Sequence, residues 1–172
     1  MIIPFKKRYI LLMLLLCVVA LILNGCYYIE TTNVKRYAAF YAEMEEADPI
    51  MHTWLPDPED LQIEDMYLFR SDYDLLDTFY TVYVNCVFDD VSYQTEKDRQ
   101  YSLARYDEFA TYNLLAFDYE SIAYNVSLDK SKKHIDYILF DDAENRIVYV
   151  FAFFMDDRYE NIPAKYLPDS LR

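Results

Sequence analysis

The stretch IDYILFDDAENRIVYVFAFFM, residues 135–155, decides the fold. Two runs rich in β-branched and aromatic residues, Ile135 to Asp141 and Ile147 to Met155, flank the polar turn Asp142-Ala143-Glu144-Asn145. This pattern predicts a β-hairpin. The turn has no glycine, so Asn145 is expected to take the left-handed backbone, which Asn tolerates better than other non-glycine residues. Ile147 to Met155 is apolar at odd and even positions alike, as expected of a strand that is central or covered on its second side.

Working outward, Ile122, Tyr124, Val126 and Leu128 alternate with Ala123, Asn125, Ser127 and Asp129, predicting a half-buried strand that joins the hairpin in a meander. Phe79 to Phe88 also alternates, with Tyr80, Val82, Val84, Cys86 and Phe88 on its more apolar face. Between these strands, Asp90 and Ser92 offer caps for a polar helix reaching Tyr106, with Arg105 favourably placed at its C-terminal end. Val34, Tyr37, Ala38, Tyr41 and Met44 recur at helical spacing behind Thr31, Thr32 and Asn33, which predicts a helix over Val34–Ala47 ended by Asp48-Pro49. The segment from Asp48 to Asp60 holds three prolines and reads as an irregular loop. The expected fold is α+β, with one or two helices layered on a four-stranded, mostly antiparallel sheet in a single domain over residues 34–155. Residues 156–172 read as a polar, irregular tail.

Composition excludes whole classes of chemistry. The 172 residues contain 19 tyrosines and one glycine, Gly25. Everything after Gly25 therefore lacks the dinucleotide fingerprint, the phosphate-cradling P-loop, the EF-hand turn and the nucleophile elbow, each of which needs a residue without Cβ.

The N-terminus carries an address. Lys6, Lys7 and Arg8 precede fifteen uninterrupted apolar residues, Tyr9 to Leu23, which end at Asn24-Gly25-Cys26. This is the layout of a secretory signal. As a helix the run spans roughly 22 Å, short of the roughly 30 Å hydrocarbon core of a bilayer. Leu23-Asn24-Gly25-Cys26 resembles the lipobox of bacterial lipoproteins: an aliphatic residue at −3, a small residue at −1, and a cysteine that becomes the diacylglyceryl-modified N-terminus after cleavage. The resemblance implies a signal peptide over residues 1–25, cleavage between Gly25 and Cys26, and acyl chains such as palmitate on Cys26. It implies a short lipidated tether over residues 26–33 and a place on the outer, extracytoplasmic face of the cell membrane. Through this signal, Trp54-Leu55-Pro56 and Ile147-Val148-Tyr149-Val150, the chain resembles small, uncharacterised lipoproteins of Gram-positive bacteria, which implies no established activity.

Cleavage before Cys26 would leave 147 residues with 13 basic and 30 acidic side chains, a net charge of −17. Such a charge repels nucleic acid and anionic headgroups. Cys17 would be discarded and Cys26 acylated, so Cys86 would stand alone and no intramolecular disulfide is expected. Cys86 falls on the apolar strand face and reads as core. His52 and His134 lack partners at zinc spacing and read as surface or loop histidines. Ser131 precedes His134 by three residues in a Lys-rich turn that gives a nucleophile no fixed geometry. Carboxylates cluster at Asp57, Glu59 and Asp60, at Asp89 and Asp90, at Asp141 and Asp142, and at Asp156 and Asp157, where solvated turn acids are the rule. No catalytic residue, metal site or cofactor is expected.

Tyrosines beside acids, as in Asp72-Tyr73-Asp74, Tyr106-Asp107 and Asp118-Tyr119, suit both strand cores and contact surfaces. Tyr73, Tyr106, Tyr119 and Trp54 are the candidate contact residues, with Trp54 also reading as a core anchor. The expected function is a lipid-anchored, non-enzymatic domain whose acidic, Tyr-rich surface meets an envelope protein or a cationic ligand. The alternative is a small cell-envelope hydrolase using a carboxylate pair, which would require two acids in a cleft with at least one raised pKa.

Overall fold

The structure, a computed structural model, describes residues 13, 26–59, 61–73, 77–112, 118–129, 132–154 and 158–168. The charged cluster at residues 6–8, Gly25 and Ser131 lie outside these residues, as do Asp60, Asp156 and Asp157. Among the described residues no helix is long and apolar enough to cross a membrane.

The elements are β1 (Cys26–Thr31), a 3₁₀ turn over Val34–Arg36, α1 (Tyr37–Ala47), α2 (Pro49–Trp54), β2 (Gln62–Tyr73), β3 (Asp77–Val87), α3 (Asp90–Tyr106), β4 (Thr111–Tyr112), β5 (Glu120–Asp129), β6 (Lys132–Asp141) and β7 (Arg146–Phe154). Two further 3₁₀ turns, Arg158–Asn161 and Ala164–Tyr166, follow. The strands form one antiparallel sheet in the order β1-β2-β3-β7-β6-β5-β4. The expectation of four strands and one or two helices is thus corrected to seven strands and three α-helices.

The predicted β5-β6-β7 meander forms, and β7 lies between β3 and β6, as its two apolar faces demand. Asn145 is the one described non-glycine residue with positive φ, at 48°. What pattern reading missed has physical causes. In β2 a register shift between Ile63 and Asp65 breaks alternation, and Met66 to Phe69 is buried on both faces, so no period of two survives. Within the short tether expected over residues 26–33, Cys26–Thr31 pairs with β2 as an edge strand, Cys26 opposite Tyr73. β4 is only two residues long.

Both faces of the sheet are covered. α1, α2 and α3 pack Tyr37, Phe40, Met44, Trp54 and Tyr93 onto Met66, Leu68, Val82, Val84, Cys86, Ile138, Tyr149 and Phe151. Burial of Tyr37, Phe40 and Met44 offsets the acidic C-terminal end of α1. The opposite face, with Tyr83, Tyr137, Leu139, Val148 and Val150, is closed by Ile162, Tyr166 and Leu167. The expected irregular tail is therefore a strap, pinned where the Tyr137 hydroxyl donates to the Tyr166 carbonyl at 2.6 Å.

Candidate functional site

On the helical face, α2 and the C-terminal turn of α3 do not fully close over the sheet. A cleft of about 770 Å³ remains between them and β3, β5, β6 and β7. That volume suits a small organic ligand.

One wall is α2. Asp48 caps this helix by accepting from the Met51 amide at 3.0 Å, and Pro49 occupies the first helical position, where its missing N–H costs nothing. The other end of α2 is held by α3. Arg99 donates to the carbonyls of Thr53 and Leu55 at 2.8 and 3.1 Å, while its Nε reaches Glu96 at 2.6 Å. Gln100 donates to the Trp54 carbonyl at 2.9 Å. A cation at a helix C-terminus meets the negative end of the dipole. This clamp fixes Trp54, which is buried and lies with its ring centroid 3.7 Å from that of Tyr124.

The floor is polar. His134 and Asp136 stand two residues apart on β6, on the face that carries Ile138 and Phe140 next along the strand. His134 Nε2 lies 2.7 Å from Asp136 Oδ2, and Asp136 Oδ1 accepts from the Ala152 amide at 3.2 Å. Burial is the largest influence on Asp136 and raises its carboxyl above the usual range, against the pull of those two bonds. For His134, burial opposes the charge, but the hydrogen bond to Asp136 and the charges of Asp136 and Asp48 prevail and raise the ring pKa. Burial, and then the charges of Asp136 and Asp48, hold the phenol of Tyr80 on β3 well above the usual range.

The rim is apolar and acidic. Ile50, Tyr106 and Phe109 are exposed by 73, 85 and 66 %, and Asp107 and Glu108 sit between the two aromatics. Three large exposed apolar residues on one cleft mouth mark a contact site better than scattered ones. Four carboxylates, Asp48, Asp107, Glu108 and Asp136, face the cleft with six aromatic rings, and none of the described lining residues is Lys or Arg. Carboxylates and ring faces together attract an ammonium group.

The four candidate contact residues separate. Trp54 and Tyr106 come together on the cleft, as wall and rim. Tyr119 is carried to the other face, its ring centroid 6.0 Å from that of Tyr166. Tyr73 ends β2 opposite Cys26. Trp54 anchors the core as read, although on a helix where an irregular loop was expected. Cys86 is fully buried, and that burial raises its thiol pKa, which fits core material. His52 rests on Tyr41, 4.2 Å between ring centroids. His134, read as a surface or loop residue, is instead a strand residue paired on the cleft floor.

The paired acids in sequence serve structure. Asp57 closes a turn on the Glu59 amide, Asp89 rather than Asp90 caps α3, and Asp90 accepts from Asn145 at 2.6 Å. Asp142 and Glu120 grip Lys97 at 2.7 and 2.6 Å. Of the cleft acids, Asp48 and Asp136 stand apart from the carboxylate clusters singled out in the sequence, and the adjacent Asp107 and Glu108 were noticed only through the Tyr106-Asp107 pair. One signal was present: the polar residues 134 and 136 interrupt an otherwise apolar face. Among the described residues no group of three or more His, Cys, Asp or Glu is placed to hold a metal ion. No protein-family model, curated protein or solved structure matches the chain.

Proposed function

We propose that the chain is an extracytoplasmic domain, lipid-anchored through Cys26, whose cleft binds a cationic ligand. The observation that carries the binding role is the meeting of four carboxylates with six aromatic rings in one cleft lined by no described Lys or Arg. The acidic balance of the chain, 30 Asp and Glu against 16 Lys and Arg, extends that attraction beyond the cleft. The anchor reading is supported by the order of charge cluster, apolar run, Gly25 and Cys26.

Each half has its own test. Cys26→Ala abolishes incorporation of a palmitate label and leaves an unprocessed or released protein, whereas unchanged labelling refutes the anchor. For the cleft, calorimetric titration with cyclohexylammonium gives saturable binding that Asp48→Asn weakens roughly tenfold, about 1.4 kcal/mol. Equal affinity in both proteins refutes the cation site.

One observation favours a second reading, a small envelope hydrolase: Asp136 carries a raised pKa inside a cleft that also holds Asp48. Both Asp136 oxygens are already engaged, by His134 and the Ala152 amide, which suits a structural floor better than a proton donor. Release of reducing sugar from envelope glycan, lost in Asp136→Asn, would carry that reading instead.

A further inference from the structure

The mouth of the cleft carries apolar surface that a bare cation leaves unused. Seven large apolar side chains are exposed among the described residues, and three of them, Ile50, Tyr106 and Phe109, share this one mouth. Exposed apolar groups gathered in one place mark a contact surface, whereas single ones need no explanation. Carboxylates attract an ammonium and ring faces receive it, but Ile50 has neither a charge nor a π face to offer. What Ile50 can gain is contact with hydrocarbon.

The three side chains are held on fixed backbone. Ile50 stands in the first turn of α2, behind the Asp48 cap and Pro49. Tyr106 ends α3, and the chain turns directly after it. The Asp107 amide donates to the Ala104 carbonyl at 3.3 Å, the Phe109 amide to Asp107 Oδ1 at 2.8 Å, and the Ala110 amide to the Asp107 carbonyl at 3.2 Å. A surface presented on such backbone loses little freedom when a ligand covers it.

Charge narrows what can cover it. Asp107 and Glu108 stand between the two rings, so whatever covers Tyr106 and Phe109 comes against two carboxylates. A bilayer would strip the water from both, and its anionic headgroups would be repelled. A single dissolved molecule can lay hydrocarbon on the rim and leave the carboxylates wet.

We propose that the ligand is an amphiphilic amine, taken singly from solution, whose ammonium group sits among the cleft carboxylates while its hydrocarbon chain lies over Ile50, Tyr106 and Phe109. This rests on the cation reading of the cleft and adds a tail to the cation.

The test titrates the protein with butyl-, hexyl- and octylammonium, below the concentration at which they form micelles, and with octanol as the neutral counterpart. Each added methylene tightens binding about two- to fourfold, the upper figure being full burial, so octylammonium binds at least about fifteen times more tightly than butylammonium. Ile50→Ser and Phe109→Ser each cut that ratio at least about threefold. Because the ratio is read within one protein, any effect of a variant on the ammonium site cancels. Both residues are exposed, so neither variant melts appreciably below wild type. Octanol binds at least about tenfold more weakly than octylammonium. Affinity that does not grow with chain length, or an octyl-to-butyl ratio that survives both substitutions, overturns the proposal and leaves the cation reading standing. Octanol binding as tight as that of octylammonium overturns it as well, since the charged head would then go unread. If no amine of the series binds the wild-type protein, the cation reading itself is refuted.

Discussion

His134 and Asp136 show how a pair of residues sets the character of the cleft floor. Their 2.7 Å contact holds a proton between ring and carboxylate, and the charges of Asp136 and Asp48 raise the affinity of the ring for it. A raised imidazole pKa means that the folded protein binds this proton more tightly than the unfolded chain does. The resulting stability is complete below the ordinary imidazole value of about 6.5 and is lost as pH rises through the folded value. An NMR titration should place the His134 midpoint above about 6.5, with unfolding free energy falling between that pH and the midpoint. Cation affinity should rise across the same interval, as the floor loses a positive charge. A midpoint at or below 6.5 contradicts this account of the pair. Asn145 was legible at this scale because Asn tolerates a positive φ better than the other residues of that turn. The pairing of His134 with Asp136 was not, because single-residue pattern reading assigns polarity but not depth, and β6 is buried in a way only the whole sheet decides.

Among the elements, α2 matters most, since it forms one wall of the cleft and is too short to be stable alone. Its stability is borrowed from α3, through Arg99 and Gln100 on the carbonyls of Thr53, Trp54 and Leu55. Arg99→Leu should therefore cost about 1.5–3 kcal/mol in chemical denaturation, the range for hydrogen bonds to a charged group. It should also weaken cyclohexylammonium binding, although Arg99 is not a lining residue. Wild-type stability in that variant would show that α2 holds itself. The hairpin of β6 and β7 was legible because two β-rich runs flank a marked polar turn, and the helix from Asp90 to Tyr106 because cap residues mark its start and Arg105 its end. β2 was not, because its bulge and double-sided burial erase the alternation that pattern reading needs. α2 was hidden by the three prolines of the segment around it, although Asp48-Pro49 is a helix-opening pair as well as a stop.

For the molecule as a whole, the register carries a consequence for orientation. Cys26 lies opposite Tyr73, and Tyr73 opposite Asp77, at the end of the sheet where β3 begins and β7 finishes. Tyr80, Phe151 and His134 belong to that same half, so an anchor at Cys26 would hold the cleft near the bilayer rather than away from it. The second face is closed by the chain's own strap at Ile162, Tyr166 and Leu167, and among the described residues the helical-face cleft is the candidate for binding. Fold class was only partly legible because the sheet is completed by an edge strand that resembles a tether and by a strand without alternation, neither of which has a local signature. The chain has one tryptophan, Trp54, and it lines the cleft, so its fluorescence reports directly on what the cleft binds. Titration of the protein with cyclohexylammonium, exciting Trp54 selectively, should give a saturable change in emission whose midpoint moves to roughly tenfold higher concentration in Asp48→Asn. Emission that never saturates, or that saturates identically in the two proteins, would contradict a cation site in this cleft.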